Sequence, residues 1–222
     1  LFLRLKPITG HLALQKDRSA FQHLWHTVAK KNYRIGFLST ALLSIGGFMM
    51  MPFGSAFAIN NLKITAAQLP LVFMITGVAT LFSMPLIGKL SDKVSKFKIF
   101  AFATIIATVV INIYSQFSVT PLWLVLTTNV VMMVSIMSRM IPSMALTSAI
   151  PQPQDRGAFM SINSSLQQMA GGFGAMIAGL IIVQKDSFAP LEHYDTLAMM
   201  ATGIMLITIY LVYRVSNIVT KK

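Results

Sequence analysis

A few side chains in this sequence are out of place in the oily runs that hold them, and any chemistry would sit there. Arg139 lies inside the apolar stretch from Leu122 to Ile150, roughly 18 Å along a helix from Pro151 at 1.5 Å per residue. No Asp or Glu lies within any of the long apolar runs, so Arg139 has no acid at its own depth. A cation so placed is costly, and it is a candidate to hold an anionic substrate group or to pair with a carboxylate elsewhere in a larger protein. Snorkelling toward the inner headgroups is the plainer alternative. Thr128, Ser135 and Arg139 share one helical stripe, as a polar cavity wall would.

Amides raise the same question further along. Asn163 and Gln167 are four apart on one helical face, and so are Ser164 and Gln168. In lipid they need a partner helix or a wet cavity, and helix-to-helix hydrogen bonding with no substrate contact is the simpler role. Thr40, Ser44, Gly47, Met51 and Ser55 make a similar, weaker stripe in the first apolar run. The cavity candidates are therefore Arg139, Ser135, Thr128, Asn163, Gln167, Gln168, Thr40 and Ser44. The 16 methionines suit a pliable apolar binding surface, though thioethers also simply fill gaps between helices.

Known membrane-enzyme chemistries find no support. The four His, at 11, 23, 26 and 193, lie outside the apolar runs, and no pair of Asp lies within them. That removes an intramembrane Ser–base pair and an aspartyl dyad. No His/Asp/Glu cluster has metal-ligand spacing, no phosphate-binding Gly loop is present, and Cys is absent. The expectation is no enzyme, no metal and no cofactor.

The second chemical feature is a charged hairpin, Pro85 to Ile99. It holds Lys89, Lys93, Lys96, Lys98 and one acid, Asp92, between two long apolar runs. Lysines so crowded are hard to translocate, so the hairpin should stay in the cytoplasm. Gly88, Asp92, Lys93 and Lys96 lie on a turn or short helix leaving the membrane. Gly88 lets another helix approach, and Asp92 can accept from a cation or a helix N-terminus. Together they form a contact that can be made and broken.

The elements that must position these residues follow from composition. Of 222 residues, 55% are hydrophobic and only 11% charged, against about 25% charged in a soluble domain; mean hydropathy is +0.70. The net charge of +12 does not make a nucleic-acid face, because the cations sit between apolar runs and at the ends. Six runs near the ~20 residues needed to span follow one another: Tyr33 to Ile59, Leu69 to Leu90, Ile99 to Val119, Leu122 to Ile150, Ala158 to Val183 and Leu197 to Val215. With both ends inside, all of the 18 cations except Lys63, Lys185 and Arg139 fall on the cytoplasmic side. Six spans can be two inverted sets of three. The third and sixth, the most uniformly apolar, should face lipid.

Residues 1–32 are polar and basic. From Ser19 the pattern becomes amphipathic, with Ala20, Phe21, Leu24, Trp25, Val28 and Ala29 on one face. This predicts a helix lying in the membrane interface. The domain division is 1–32 as a cytoplasmic linker with that helix, 33–218 as a six-helix bundle, and 219–222 as a cytoplasmic tail. The chain opens at Leu1 without Met or a cleavable leader, so it is expected to be a piece of a longer protein.

The arrangement Gly88-x-Leu90-x-Asp92-Lys93-x-x-Lys96 resembles the cytoplasmic loop signature of the major facilitator superfamily, with Ser95 and Phe97 departing from it. The fifth run, Arg156-Gly157-Ala158 through Asn163 to Gly171-Gly172-Phe173-Gly174, is similar to the eleventh helix of efflux-type members. The resemblance implies an all-α membrane protein: one half, helices seven to twelve, of a twelve-helix transporter, with the amino-terminal half absent. It implies a secondary transporter working by alternating access and exporting small organic compounds. It further implies that Gly88 and Asp92 latch onto the missing half, and that the seat is the plasma (inner) membrane. If protons drive it, the coupling carboxylate lies in the missing half. A self-contained six-span channel and a non-transporting scaffold are the alternatives. The expected partners are the bilayer, the missing half and a small-molecule substrate, and no nucleic acid.

Overall fold

Long apolar stretches in lipid have one economical backbone solution, the helix, because every N–H then finds its carbonyl within the segment. The computed structural model describes residues 20–221, with side chains described from residue 24. The leader cations Arg4, Lys6, Lys16 and Arg18, the side chain of Phe21, and Lys222 lie outside the described residues. A short helix, α1 (Ala20–Ala29), precedes a first span made of α2 (Lys31–Phe48), a 3₁₀ turn (Met51–Phe53) and α3 (Gly54–Asn60). Four long helices follow: α4 (Leu69–Lys93), α5 (Lys96–Ser115), α6 (Leu122–Ser148) and α7 (Arg156–Ile181). The last is α8 (Tyr194–Thr220). No strand occurs among the described residues; Val183 and Glu192 form one isolated bridge.

The sequence boundaries fall within about a turn and a half of the observed ones, with two informative differences. The first span breaks at Pro52, whose ring and missing N–H cannot continue α2. The Gly88–Asp92 segment is not a separate turn or short helix: α4 runs on to Lys93, and only Val94 and Ser95 separate it from α5. Lys96 Nζ donates to the Ser91 carbonyl at 3.1 Å, placing a cation on the C-terminal end of α4 where the helix dipole favours one.

Five spans are long and apolar enough to cross a membrane by composition alone: Lys31–Asn60 taken across its break, α4, α5, α6 and α8. Helix α7, at 26 residues, has the length, about 39 Å. Its Asn163, Ser164, Ser165, Gln167 and Gln168 dilute its apolarity. Contacts settle its course. Phe159 stacks on Phe37 at 4.6 Å near one end, and Gly179 lies beside Phe53 at the other. Helix α7 therefore runs parallel to the first span and crosses the same thickness.

The packing has an internal two-fold pattern. Helix α2 packs on α7 and α8; helix α6 packs on α4 and α5; α5 and α8 pack on each other. Exchanging α2 with α6, α4 with α7, and α5 with α8 leaves that set of neighbours unchanged. Three crossings is an odd number, so the second trio starts from the opposite side and the repeat is inverted. Helix α4 leans chiefly on α6 and helix α7 chiefly on α2. Each keeps an uncovered flank: Phe73, Val78, Leu81 and Phe82 on α4, and Met169, Phe173, Met176 and Leu180 on α7.

The core divides into two apolar clusters, one at each end of the bundle. One gathers Phe57, Ile111, Tyr114, Met132, Tyr194 and Met205; the other Phe37, Phe100, Leu146, Phe159 and Val212. Helix α1 touches α7, burying Thr27 and leaving Leu24, Trp25 and Val28 outward.

Small residues decide how closely α7 approaches α2. Ala170, Gly171, Gly174 and Ala178 form the buried stripe. A Cβ on Gly174 would stand 2.7 Å from the Ile45 carbonyl oxygen, a backbone atom that cannot swing away. Gly172, two residues earlier, faces open space. We therefore expect Gly174→Ala to cost about 1–3 kcal/mol, as overpacking typically does. Gly172→Ala should be neutral or slightly stabilising. Thermal unfolding midpoints of the two variants in detergent check this.

Candidate functional site

Three helices each bring one pair of polar residues, four apart, to the same cleft. Helix α2 supplies Thr40 and Ser44, helix α6 supplies Ser143 and Thr147, and helix α7 supplies Asn163 and Gln167. Spacing of four keeps both members of a pair on one helical face. Leu43, Met140, Met144 and Met160 complete the wall, with Ser148 at its edge. No lining residue carries a formal charge. The cleft holds about 30 Å³, near one water's share of liquid volume and far below the roughly 300 Å³ of a small-molecule pocket. By itself it is one wall of a site.

Hydrogen-bond accounting leaves four buried side-chain atoms without a partner among the described residues, Ser39 Oγ, Ser91 Oγ, Thr108 Oγ1 and Asn163 Oδ1, and of these residues Asn163 lines the cleft. In the spans, hydroxyls mostly bond back to their own helix: Thr128 to Leu124, Ser135 to Val131 and Ser138 to Val134, all at 2.7–2.8 Å. Amides find partners across helices. Asn112 Nδ2 donates to Thr202 Oγ1 at 2.7 Å, and Asn129 Oδ1 accepts from Thr76 Oγ1 at 3.2 Å. Asn163 is only 8% exposed, yet its Oδ1 has no partner. A buried carbonyl left without a donor costs about 1–3 kcal/mol.

The α6 stripe of Thr128, Ser135 and Arg139 does not line this cleft. At 100° per residue it sits somewhat under a quarter of a turn round from Ser143 and Thr147. Arg139 is 1% exposed and points toward α5 and α8. Its Nε donates to Thr104 Oγ1 at 3.0 Å, its Nη2 to Thr208 Oγ1 at 3.2 Å, and its guanidinium lies 5.5 Å from the Phe100 ring centre. Each hydroxyl gives its own proton to its helix, Thr104 to Phe100 and Thr208 to Met205, which leaves a lone pair for the cation. Helices α5 and α8 hold this cation on their inner faces, while Phe102, Ile105 and Val109 of α5 and Met200, Leu206 and Ile207 of α8 are exposed on their outer ones. Gln168 is exposed on the uncovered flank of α7, outside the cleft.

Thr40, Ser44, Asn163 and Gln167 are thus brought together as the sequence spacing implies, while Arg139, Ser135, Thr128 and Gln168 are not. Ser143 and Thr147 were missed, although their spacing of four carried the same signal. The deeper cation drew attention to the wrong face of α6.

The charged hairpin is open. Asp92 and Lys93 are exposed, and Asp92 has no ion pair among the described residues. A side chain on Gly88 or on Gly157, at the start of α7, would meet nothing within 4 Å. The other buried acid chemistry is at the same end: Asp155 pairs with Lys30 and accepts from Tyr33 Oη at 2.8 Å, tying α1 and α2 to the loop before α7.

If Arg139 pins α5, α6 and α8 together, Thr104→Val and Thr208→Val should each destabilise by about 1–2 kcal/mol. Thr128→Val, which loses only a bond within its own helix, should stay near zero. Arg139→Lys should not restore stability, because an ammonium cannot span both hydroxyls. Chemical unfolding in mixed micelles measures all four.

Comparison with known families agrees with this architecture. The sequence profile described as Major Facilitator Superfamily matches residues 36–221, well over half of the chain. No curated protein gives a significant match. With its six packed helices, inverted repeat and profile match, the chain belongs to the Major Facilitator Superfamily of membrane transporters.

Proposed function

We propose that the chain forms the carboxy-terminal half of a secondary transporter that moves small organic compounds by alternating access. The observation that carries this is the uncharged polar cleft, with the unpartnered Oδ1 of Asn163 buried where α2, α6 and α7 meet. A wall of hydroxyls, amides and thioethers fits a neutral or amphiphilic substrate, one that offers a hydrogen-bond donor and some apolar surface. The missing amino-terminal half supplies the opposite wall.

The uncovered flanks of α4 and α7 support such a partner, since both are apolar and each rests on one neighbour. The free environment of Gly88, Asp92 and Gly157 supports a latch at the cation-rich end, which we place in the cytoplasm of a plasma-membrane protein. Export is the direction favoured by the likeness of α7 to the eleventh helix of efflux-type members. Asp92, Asp155, Asp186, Glu192 and Asp195 all lie at the ends of the spans. Coupling to protons therefore calls for a carboxylate in the other half.

Efflux from cells carrying the complete gene tests the reading. Asn163→Leu should lower transport efficiency about tenfold at unchanged membrane abundance, the loss expected for one hydrogen bond to substrate. Wild-type efflux by Asn163→Leu across a panel of neutral and amphiphilic compounds would remove the cleft from the mechanism. Asp92→Asn should shift the balance between inward-open and outward-open states, read as altered accessibility of cysteines placed on either face. An unchanged balance would count against the latch.

A further inference from the structure

The cation-rich end of the bundle carries a second concavity, far larger than the substrate cleft and of different chemistry. It measures about 590 Å³ and lies between the start of α2, the end of α8 and the loop before α7. Lys30, Lys31 and Lys221 line it with Asn32, and Ile150 and Ile218 give it an apolar side. Its charges are not balanced. The acid beside it, Asp155, is taken by Lys30 and Tyr33. Lys31 and Lys221 have no carboxylate partner among the described residues. Helix α2 also begins here with no side chain capping its first amides, and a helix N-terminus adds to a positive potential.

Two ammonium groups gathered in a concave site and left unpaired attract an anion with several acceptor oxygens. The apolar side and the setting decide its source. Trp25 is 72% exposed on α1, beside the exposed Leu24, His26, Val28 and Ala29, an aromatic and apolar set that suits the headgroup layer. Ile150 and Ile218 stand beside the lysines, where a glycerol backbone and the start of an acyl chain would lie. We propose that this cleft is a binding site for the phosphate headgroup of an anionic phospholipid in the leaflet facing the cation-rich end. The bound lipid ties the start of the first span to the end of the last. This assignment does not depend on the substrate or direction proposed above.

The test uses the full-length protein in a neutral detergent, with the thermal unfolding midpoint followed as lipid is added. Dioleoyl phosphatidylglycerol should raise the midpoint, and dioleoyl phosphatidylcholine should not. Lys31→Gln and Lys221→Gln should each weaken the lipid response roughly fivefold, the usual contribution of one lysine at an anionic surface. Lys31→Arg with Lys221→Arg should keep it. Lys185→Gln, at the opposite end, should leave the titration unchanged. A glutamine double variant that follows the wild-type curve would overturn the proposal, as would an equal response to phosphatidylcholine. Inorganic phosphate reproducing the full shift would overturn the lipid assignment in favour of a free anion.

Discussion

A hydrocarbon solvent offers no hydrogen bonds, and almost every polar placement in this protein answers to that. Hydroxyls in the spans turn back on their own carbonyls, and the asparagines at 112 and 129 reach across to a neighbouring helix. The guanidinium of Arg139 is the extreme case. A bare cation at that depth is intolerable, so two threonines, one each from α5 and α8, present lone pairs to it and Phe100 presents a ring face. On all three helices the polar residue falls between the two apolar clusters: Arg139 between Met132 and Leu146, Thr104 between Phe100 and Ile111, Thr208 between Met205 and Val212. The result is a thin polar layer that fixes how α5, α6 and α8 register against one another.

That fixed back leaves the opposite side of the bundle free to be a working surface. Helices α2 and α6 occupy equivalent places in the inverted repeat, and each turns a polar face toward the cleft. Helix α7 approaches α2 so closely at Gly174 that backbone meets backbone. The approach carries Asn163 and Gln167 to within reach of Thr40 and Ser44. Asn163 is one of four residues among those described, with Ser39, Ser91 and Thr108, whose buried polar atom has no partner, and it is the one of the four that lines the cleft.

The two ends of the bundle are knit differently. At one end, Asn61 and Leu191 exchange hydrogen bonds of 3.0 and 2.8 Å, binding the loop after α3 to the loop before α8. At the other, Lys30, Tyr33 and Asp155 join α1, α2 and the start of α7. The first span is thus anchored at both ends while its middle is broken at Pro52.

Much of this was legible in the residues alone, because lipid imposes rules on short windows of sequence. Span lengths and the sorting of lysines to one end are local properties, and they sufficed for six helices and a family resemblance. What only the tertiary structure decided is which way each polar residue looks. Arg139 and Ser143 are four apart on one helix, yet the first meets α5 and α8 while the second meets α2 and α7. Asn129 and Asn163 are both amides in apolar runs, yet one meets Thr76 and the other meets no one. Periodicity places residues on a common face but carries no information about the neighbour that face will meet. That choice is made by long-range packing, where the closeness of α7 to α2 and the demand of one buried cation settle the arrangement.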